Sequence, residues 1–212
     1  MNDWKALSEA VIRGDRDEAT RLTRNLIAAG HPPLRIADEG LVPGMAVVGE
    51  RFKRNEIYVP EMLIAARAMK ESMALLEPLM VKAGVRPRTT AVIGTVQGDL
   101  HDIGKHLVAM MWKGANFGVV DLGTNVSPEQ FIKSVKEHGA RLVGLSTLLS
   151  TTMAAMERTV QALRAAGLPR FTIMVGGAPV THEFARKIGA DGYAPDAATA
   201  VDVAQELLRA AG

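Results

Sequence analysis

The 212-residue sequence contains no cysteine. That absence excludes disulfides, thiolate-bound zinc, iron–sulfur clusters and thiol nucleophiles together. Aromatic residues amount to only 4%, and they do not interleave with basic side chains as a stacking surface for nucleic acid does. Net charge is also slight. The 25 Lys and Arg against 23 Asp and Glu leave +2, with no basic run, so nucleic acid is not an expected partner. No segment approaches the roughly 18 unbroken apolar residues of a membrane helix. The opening stretch MNDWKALSEA lacks a basic-then-apolar signal pattern, so no membrane partner and a cytoplasmic location are expected. What is present is a globular composition, 48% hydrophobic, long enough for one ordinary domain or two small ones. Difficult chemistry in such a chain must rest on other ligands or on a bound cofactor.

Two rhythms divide the sequence. Up to about Gly84 the apolar spacing is helical. Ala6, Leu7, Ala10 and Val11 share one face of a short helix ending at Gly14. Asp15 reads as the N-cap of a second helix running to Ala29, with Ala19, Leu22, Leu26 and Ile27 inward and Gly30 closing it. A third segment, 34 to about 54, is expected to kink at Pro43-Gly44. Pro60 opens a fourth, to about Lys82, with Leu63, Ile64, Met69, Met73 and Leu76 as its apolar stripe. A four-helix bundle is the expectation.

Beyond Val85-Arg86-Pro87-Arg88 the rhythm changes. Short β-branched runs at 90–96, 117–122, 142–146 and 171–176, and a weaker one at 192–193, alternate with helical stretches. The helices are expected at about 104–114, 128–138, 153–165, 181–188 and 197–210. Five βα units imply a parallel sheet covered on both faces, and right-handed crossovers favour the flavodoxin-like, Rossmann-like order 2-1-3-4-5. The expected fold class is therefore α plus α/β. A helical domain takes residues 1–88 (linker at about 83–89), and a five-stranded α/β domain takes 89–212.

Ligands of doubly wound sheets sit beyond the C-terminal strand ends, where the strand order reverses. Two loops lie there, 97–103 and 146–152. The first reads Gly98-Asp99-Leu100-His101-Asp102-Ile103-Gly104. It is no phosphate cradle, because it lacks both GxGxxG and GxxxxGK[ST] and its acidic residues repel anions. Asp99 and His101 have the spacing of a metal-ligating imidazole and its orienting carboxylate. Taken alone, the pair reads more readily as a helix-capping Asp99 beside a His101 that satisfies loop backbone. His31, His106, His138 and His182 show no H-x₃-H or HExxH spacing, and zinc needs three or four protein ligands. A lone imidazole makes sense as an axial ligand only where a macrocycle supplies the rest. Ser146 and Thr152 can likewise be helix caps, and Gly176-Gly177 a tight turn. Gathered at one switch point with Asp99 and His101, they read as a slot.

These residues carry a resemblance. Asp99-x-His101-x-x-Gly104, then Ser146-x-Leu148, then Gly176-Gly177 resemble the D-x-H-x-x-G…S-x-L…G-G signature of cobalamin-binding domains. Gly49-Glu50-Arg51-Phe52 and Tyr58-Val59-Pro60-Glu61-Met62-Leu63 resemble the helical cap of methionine synthase and of methyltransferase corrinoid proteins. The resemblance covers nearly the whole chain, with no further catalytic domain expected. It implies a cobalamin cofactor, cycling between methylcobalamin and Co(I) cobalamin, with His101 as the lower axial cobalt ligand in a base-off/His-on arrangement. Asp99 would then hydrogen-bond the far side of the imidazole, and Gly104 would leave room for the displaced nucleotide tail. Ser146 and Leu148 would line the slot for the tail's base. Gly176, Gly177 and Ala178 would let backbone approach its ribose and phosphate. Asp102, Ile103 and Tyr193 fall among the implied cofactor-binding residues. Where methionine synthase has a serine six positions after the S of S-x-L, this chain has Thr152, which can donate the same hydrogen bond but is bulkier.

From the cap, Phe52, Val59, Met62 and Leu63 match positions over the methyl-bearing face of the corrin, although for methionines at helical spacing ordinary core packing is the better default. Met69 and Met73 are expected to stay within the bundle. The resemblance implies a non-catalytic methyl carrier with a hinge near 83–88. Its implied partners are a substrate:corrinoid methyltransferase of a methanol, methylamine or methoxyaromatic system, an acceptor methyltransferase using tetrahydrofolate or coenzyme M, and a reductive activator. Three other readings compete. A cobalamin-dependent sensor or regulator needs an output module, and no helix-turn-helix is evident. A mutase subunit lacks this cap. A receiver-like domain needs a phosphate loop or an acidic pocket with lysine.

Overall fold

The computed structural model describes residues 3–83 and 89–211, and the expected linker falls largely outside that range. The chain divides into two compact units, residues 1–88 with 113–116, and residues 89–112 with 117–212.

The first unit is helical. Helix α1 (Asp3–Arg13) stops at Gly14, whose φ of 67° lies in the left-handed region that favours glycine. Helix α2 (Arg16–Ala28) begins where the Asp15 carboxylate accepts the Glu18 N–H at 3.0 Å. The third segment differs from a helix kinked at Pro43-Gly44. It runs as α3 (Pro33–Ile36), a wide π-helical turn at Ala37–Leu41, and α4 (Val42–Lys53). The break comes one turn early because Pro43 has no N–H and its ring crowds the carbonyl four residues back. The chain relieves this by widening, so that the Val42 N–H donates to Ala37 O.

Helix α5 (Val59–Lys82) starts as expected but is turned relative to the predicted stripe. Its buried face runs through Met62, Ala65, Met69, Ser72 and Leu76, and Met73 is half-buried, whereas Leu63 and Ile64 are 41% and 54% exposed. At about 100° per residue, positions 63 and 64 lie well away from a face centred on 62, 65 and 69. Alanines at 65, 66 and 68 permit close helix packing there, a pattern that a search for large apolar side chains misses.

The second unit is the doubly wound domain. Strands β1 (Thr90–Thr95), β2 (Gly118–Asp121), β3 (Leu142–Ser146), β4 (Thr172–Gly176) and β5 (Gly192–Ala194) form a parallel sheet of order 2-1-3-4-5. Between and after them come α6 (Ile103–Gly114), α7 (Pro128–His138), α8 (Met153–Ala165), α9 (His182–Lys187) and α10 (Ala197–Ala210). The central strands are continuous buried runs, as helices on both faces require. Phe131 of α7 lies over Gly94, while Trp112 of α6 lies over Gly144 and donates its indole N–H to Ala200 O at 3.0 Å. A side chain at either glycine would displace an aromatic ring fully withdrawn from water.

Register places the functional segments. Thr95 pairs with Ser146, Ser146 with Gly176, and Gly176 with Ala194. The three motif-bearing loops therefore leave the sheet from one row, at its C-terminal edge.

Candidate cofactor site

After Thr95 the chain turns through Val96 and Gly98, whose φ is 86°. The Asp99 N–H returns to Val96 O at 3.1 Å. Asn125, itself at φ 54°, braces this turn from the loop after β2. Its side-chain oxygen accepts the Gly98 N–H at 2.8 Å, and its own N–H donates to Asp99 O at 2.9 Å. The Thr95 hydroxyl donates to His101 O at 2.8 Å. Main chain on both sides of Asp99 is thus fixed before any ligand is considered.

The Asp99 side chain is fully buried, while that of His101 is 51% exposed. Asp99 Oδ1 accepts the His101 N–H at 3.0 Å and faces His101 Nδ1 at 2.8 Å. Oδ2 accepts from Leu148 N at 2.7 Å and Leu149 N at 3.3 Å, and the hydroxyls of Thr147 and Thr152 approach it at 2.9 Å and 3.1 Å. Burial alone raises the Asp99 carboxyl. The backbone N–H groups of His101 and Leu148, with the His101 and Thr147 side chains, outweigh it and hold the carboxyl well below the usual carboxylate range. An ionised Asp99 can only accept, so His101 Nδ1 carries a proton, and in the neutral imidazole this tautomer leaves the lone pair on Nε2. This is the arrangement by which a carboxylate aims an imidazole at a metal.

The capping alternatives do not describe what is seen. Asp99 lies four residues before α6 and spends its acceptors on His101 and the 147–152 loop. Thr152 stands at the N-cap of α8 but makes no side-chain cap there. Its hydroxyl turns to Asp99 and to Leu149 O, the latter at 2.9 Å. Gly177 has a φ of 127°, and a β-carbon there would fall 1.7 Å from Thr147 O. The Gly-Gly pair therefore lets the loop after β4 close onto the loop after β3.

The structure thus joins Asp99, His101, Leu148 and Thr152 in one contact set, and it puts Ser146, Gly176 and Gly177 in the adjoining rows. Ala178, Ile103 and Gly104 are exposed, and a β-carbon at Gly104 would meet nothing within 4 Å. Asp102 sits 3.4 Å from His106 Nδ1. Tyr193, half-buried on β5, stands edge-on to the His182 ring. In the helical unit Phe52 and Val59 are half-buried, Met62 is 1% exposed and Leu63 is open to solvent.

Thr147, Thr95, Asn125 and the ion pair of Lys105 with Asp121 were not singled out by sequence. Thr147 occupies the unspecified position of S-x-L. The pair had a legible signal, a lysine on the inward side of α6 and an aspartate ending a β-run. Lys105 Nζ, its side chain fully buried, lies 2.5 Å from both carboxylate oxygens of Asp121.

No group of three or more His, Asp or Glu able to hold a metal occurs among the described residues. The site therefore offers one oriented imidazole nitrogen, and the two loops that build it carry the exposed apolar side chains of Leu100, Ile103, Leu148 and Leu149. That donor set suits a metal whose remaining ligands arrive in a flat, largely apolar macrocycle.

The fold and the site together define a doubly wound domain with one carboxylate-oriented imidazole at the switch point of its sheet. A family model described as "B12 binding domain" matches residues 89–202, and a second model of the same description matches residues 4–77. The chain is 36% identical to a corrinoid protein of Desulfitobacterium hafniense, over 95% of both chains. It is 38% identical to the dimethylamine corrinoid protein of Methanosarcina barkeri, again over 95% of both. Among solved structures it resembles a methanol:cobalamin methyltransferase complex from M. barkeri, with TM-score 0.85 and 27% identity over 96% of this chain and 78% of that one. It also resembles a cobalamin-binding protein from D. hafniense, with TM-score 0.80 and 30% identity over 95% and 96%. The chain belongs to the B12-binding corrinoid proteins, and its cofactor is a cobalamin or related corrinoid. The oriented imidazole, the exposed apolar side chains of the two loops and the open space beside Gly104 fit that group.

Proposed function

We propose that the protein is a methyl carrier that holds its corrinoid through His101 and serves two methyltransferases in turn, one that loads the methyl group and one that removes it. The bound corrinoid supplies the chemistry, a cobalt centre able to accept and give up a methyl group. The chain's own residues orient and tune that centre. His101, through Nε2, is the residue that would hold the cobalt. Asp99 would fix that ring and its tautomer through the bond to Nδ1. Ser146, Leu148, Gly176 and Gly177 line the slot for the displaced tail, with Ala178 and Tyr193 at its margin. Gly104 keeps the entrance clear.

The observation that carries this reading is the buried Asp99 carboxylate, satisfied on every side and spending one oxygen on a half-exposed imidazole. A merely structural loop histidine has no need of such an anchor. The relatives' names support the methyl-carrier role, since they include dimethylamine and trimethylamine corrinoid proteins. The acceptor enzyme is proposed to use tetrahydrofolate or coenzyme M, and a separate reductive activator to restore the cobalt after accidental oxidation.

Loading the intact protein with cobalamin and comparing it with His101→Ala tests the ligand. The variant is expected to keep cofactor but change its absorbance spectrum, and identical spectra would sink the axial assignment. Methyl transfer is then assayed with methylated amines, methanol and methoxyaromatics, using methyltransferases encoded beside the gene. Transfer from none of them, with any partner, counts against the carrier reading.

A further inference from the structure

Two hydroxyls converge on the carboxylate oxygen of Asp99 that His101 does not use. Thr147 Oγ1 is the nearer, at 2.9 Å, and Thr152 Oγ1 follows at 3.1 Å. The two are 2.5 Å from each other. Each hydroxyl owns a single proton, and at that separation one proton must lie between them. Only one hydroxyl can therefore donate to Asp99 at a time. The distances assign that bond to Thr147, with Thr152 donating to Thr147 from behind. Leu149 O is not stranded by this choice, because it also accepts the Thr152 N–H at 3.1 Å.

Thr147 is in turn held by its backbone. It is 1% exposed, its N–H donates to Gly176 O at 3.2 Å, and its carbonyl occupies the place a β-carbon on Gly177 would need. The loop after β4 thus fixes Thr147, Thr147 fixes Asp99, and Asp99 fixes His101.

We propose that Thr147 is the positioning residue that ties the imidazole ligand to the Gly-Gly turn, with Thr152 as the second hydroxyl of the relay. A donor on Oδ2 draws charge from the carboxylate and so moderates the bond that Oδ1 makes to His101 Nδ1–H. Removing it leaves Oδ1 a stronger acceptor. The inference rests on the reading of His101 as the cofactor ligand, but its test does not need the cofactor.

In full-length, cofactor-free protein labelled with ¹⁵N, the His101 Nδ1–H resonance reports that bond. Thr147→Val, which keeps the shape and loses the hydroxyl, is expected to move the resonance downfield. Thr147→Ser should return it to the wild-type position, and Thr152→Val should move it less than Thr147→Val does. A Thr147→Val resonance at the wild-type position, or a larger shift in Thr152→Val, overturns the assignment. Should Thr147→Val not fold, the unsubstituted protein decides. A slowly exchanging Thr147 hydroxyl proton coupled to the Asp99 carboxylate carbon is expected, and coupling from Thr152 instead refutes the proposal. Failure of the ligand reading would appear separately, as an unchanged spectrum of cobalamin-loaded His101→Ala.

Discussion

At the scale of single residues, Asp99 shows how a buried charge is made tolerable. Hydrogen bonds to an ionised group contribute roughly 1.5–3 kcal/mol each, against a desolvation penalty of several kcal/mol. Asp99 collects backbone donors from His101 and Leu148 and a hydroxyl donor from the 147–152 loop, enough to stay ionised. Asp99→Asn is isosteric but turns one oxygen into an NH₂ group. Whichever way the amide faces, donors then oppose donors, at His101 on one side or at Thr147 and Leu148 on the other. The variant is expected to lose about 1–3 kcal/mol of stability in urea unfolding. Cobalamin affinity should fall roughly 10–100-fold in a spectroscopic titration. Full affinity with unaltered stability would mean the carboxylate does nothing an amide cannot. Sequence showed Asp99 and His101 as a pair because their spacing is local. It did not show Thr147 because that contact spans the 48 residues between two loops and depends on the Gly177 turn.

At the scale of elements, α6 matters because its first turn follows directly on the His101 loop. Lys105 in that turn is pinned to Asp121 at the end of β2, and Asp121 also accepts the Gly123 N–H at 2.9 Å and lies 3.4 Å from His106 Nε2. The two partners are not equivalent. Asp121 keeps 25% of its side chain in water, whereas Lys105 keeps none. Asp121→Asn therefore strands a buried ammonium, at about 3 kcal/mol or more, while Lys105→Met leaves a carboxylate that water can still reach, at about 1 kcal/mol. Denaturant unfolding of the two variants checks the order, and an equal loss would show that the burial difference is immaterial. Burial raises the Asp121 carboxyl, but its bonds to Lys105 and Gly123 dominate and lower it in the fold. Its contribution is thus complete above the unfolded carboxylate range, about pH 4, and is lost as pH falls through the lower folded value. Wild-type stability should decline over that acidic window more steeply than that of Lys105→Met. Among the elements themselves, α7, α8, α10 and β3 begin and end where the periodicity puts them, at clear caps such as Ser127 and Asp196. The α3–α4 segment and the phase of α5 were less legible. A π turn answers to a proline clash rather than to side-chain period, and an alanine-lined face carries little hydrophobic contrast.

At the scale of the molecule, the order 2-1-3-4-5 was readable because five βα units with right-handed crossovers leave few alternatives, and the order in turn located the site. The second unit has a core of its own. Val92, Phe131, Val143, Leu145, Met156, Val160 and Ile173 form one buried cluster drawn entirely from it, and burying each such side chain contributes about 1.5–3 kcal/mol. Asp99, His101, Thr147, Thr152 and Gly177 all belong to the same unit. A protein comprising residues 89–212 is therefore expected to fold, to bind cobalamin, and to show the same His101-dependent spectrum as the full chain. The contribution of the helical unit to cofactor binding is then the ratio of the two dissociation constants, measured by titration at equal ionic strength. A folded fragment that binds no cobalamin would contradict the claim that the α/β unit alone builds the ligand set. Binding with a spectrum indifferent to His101→Ala would instead move the axial bond away from this imidazole.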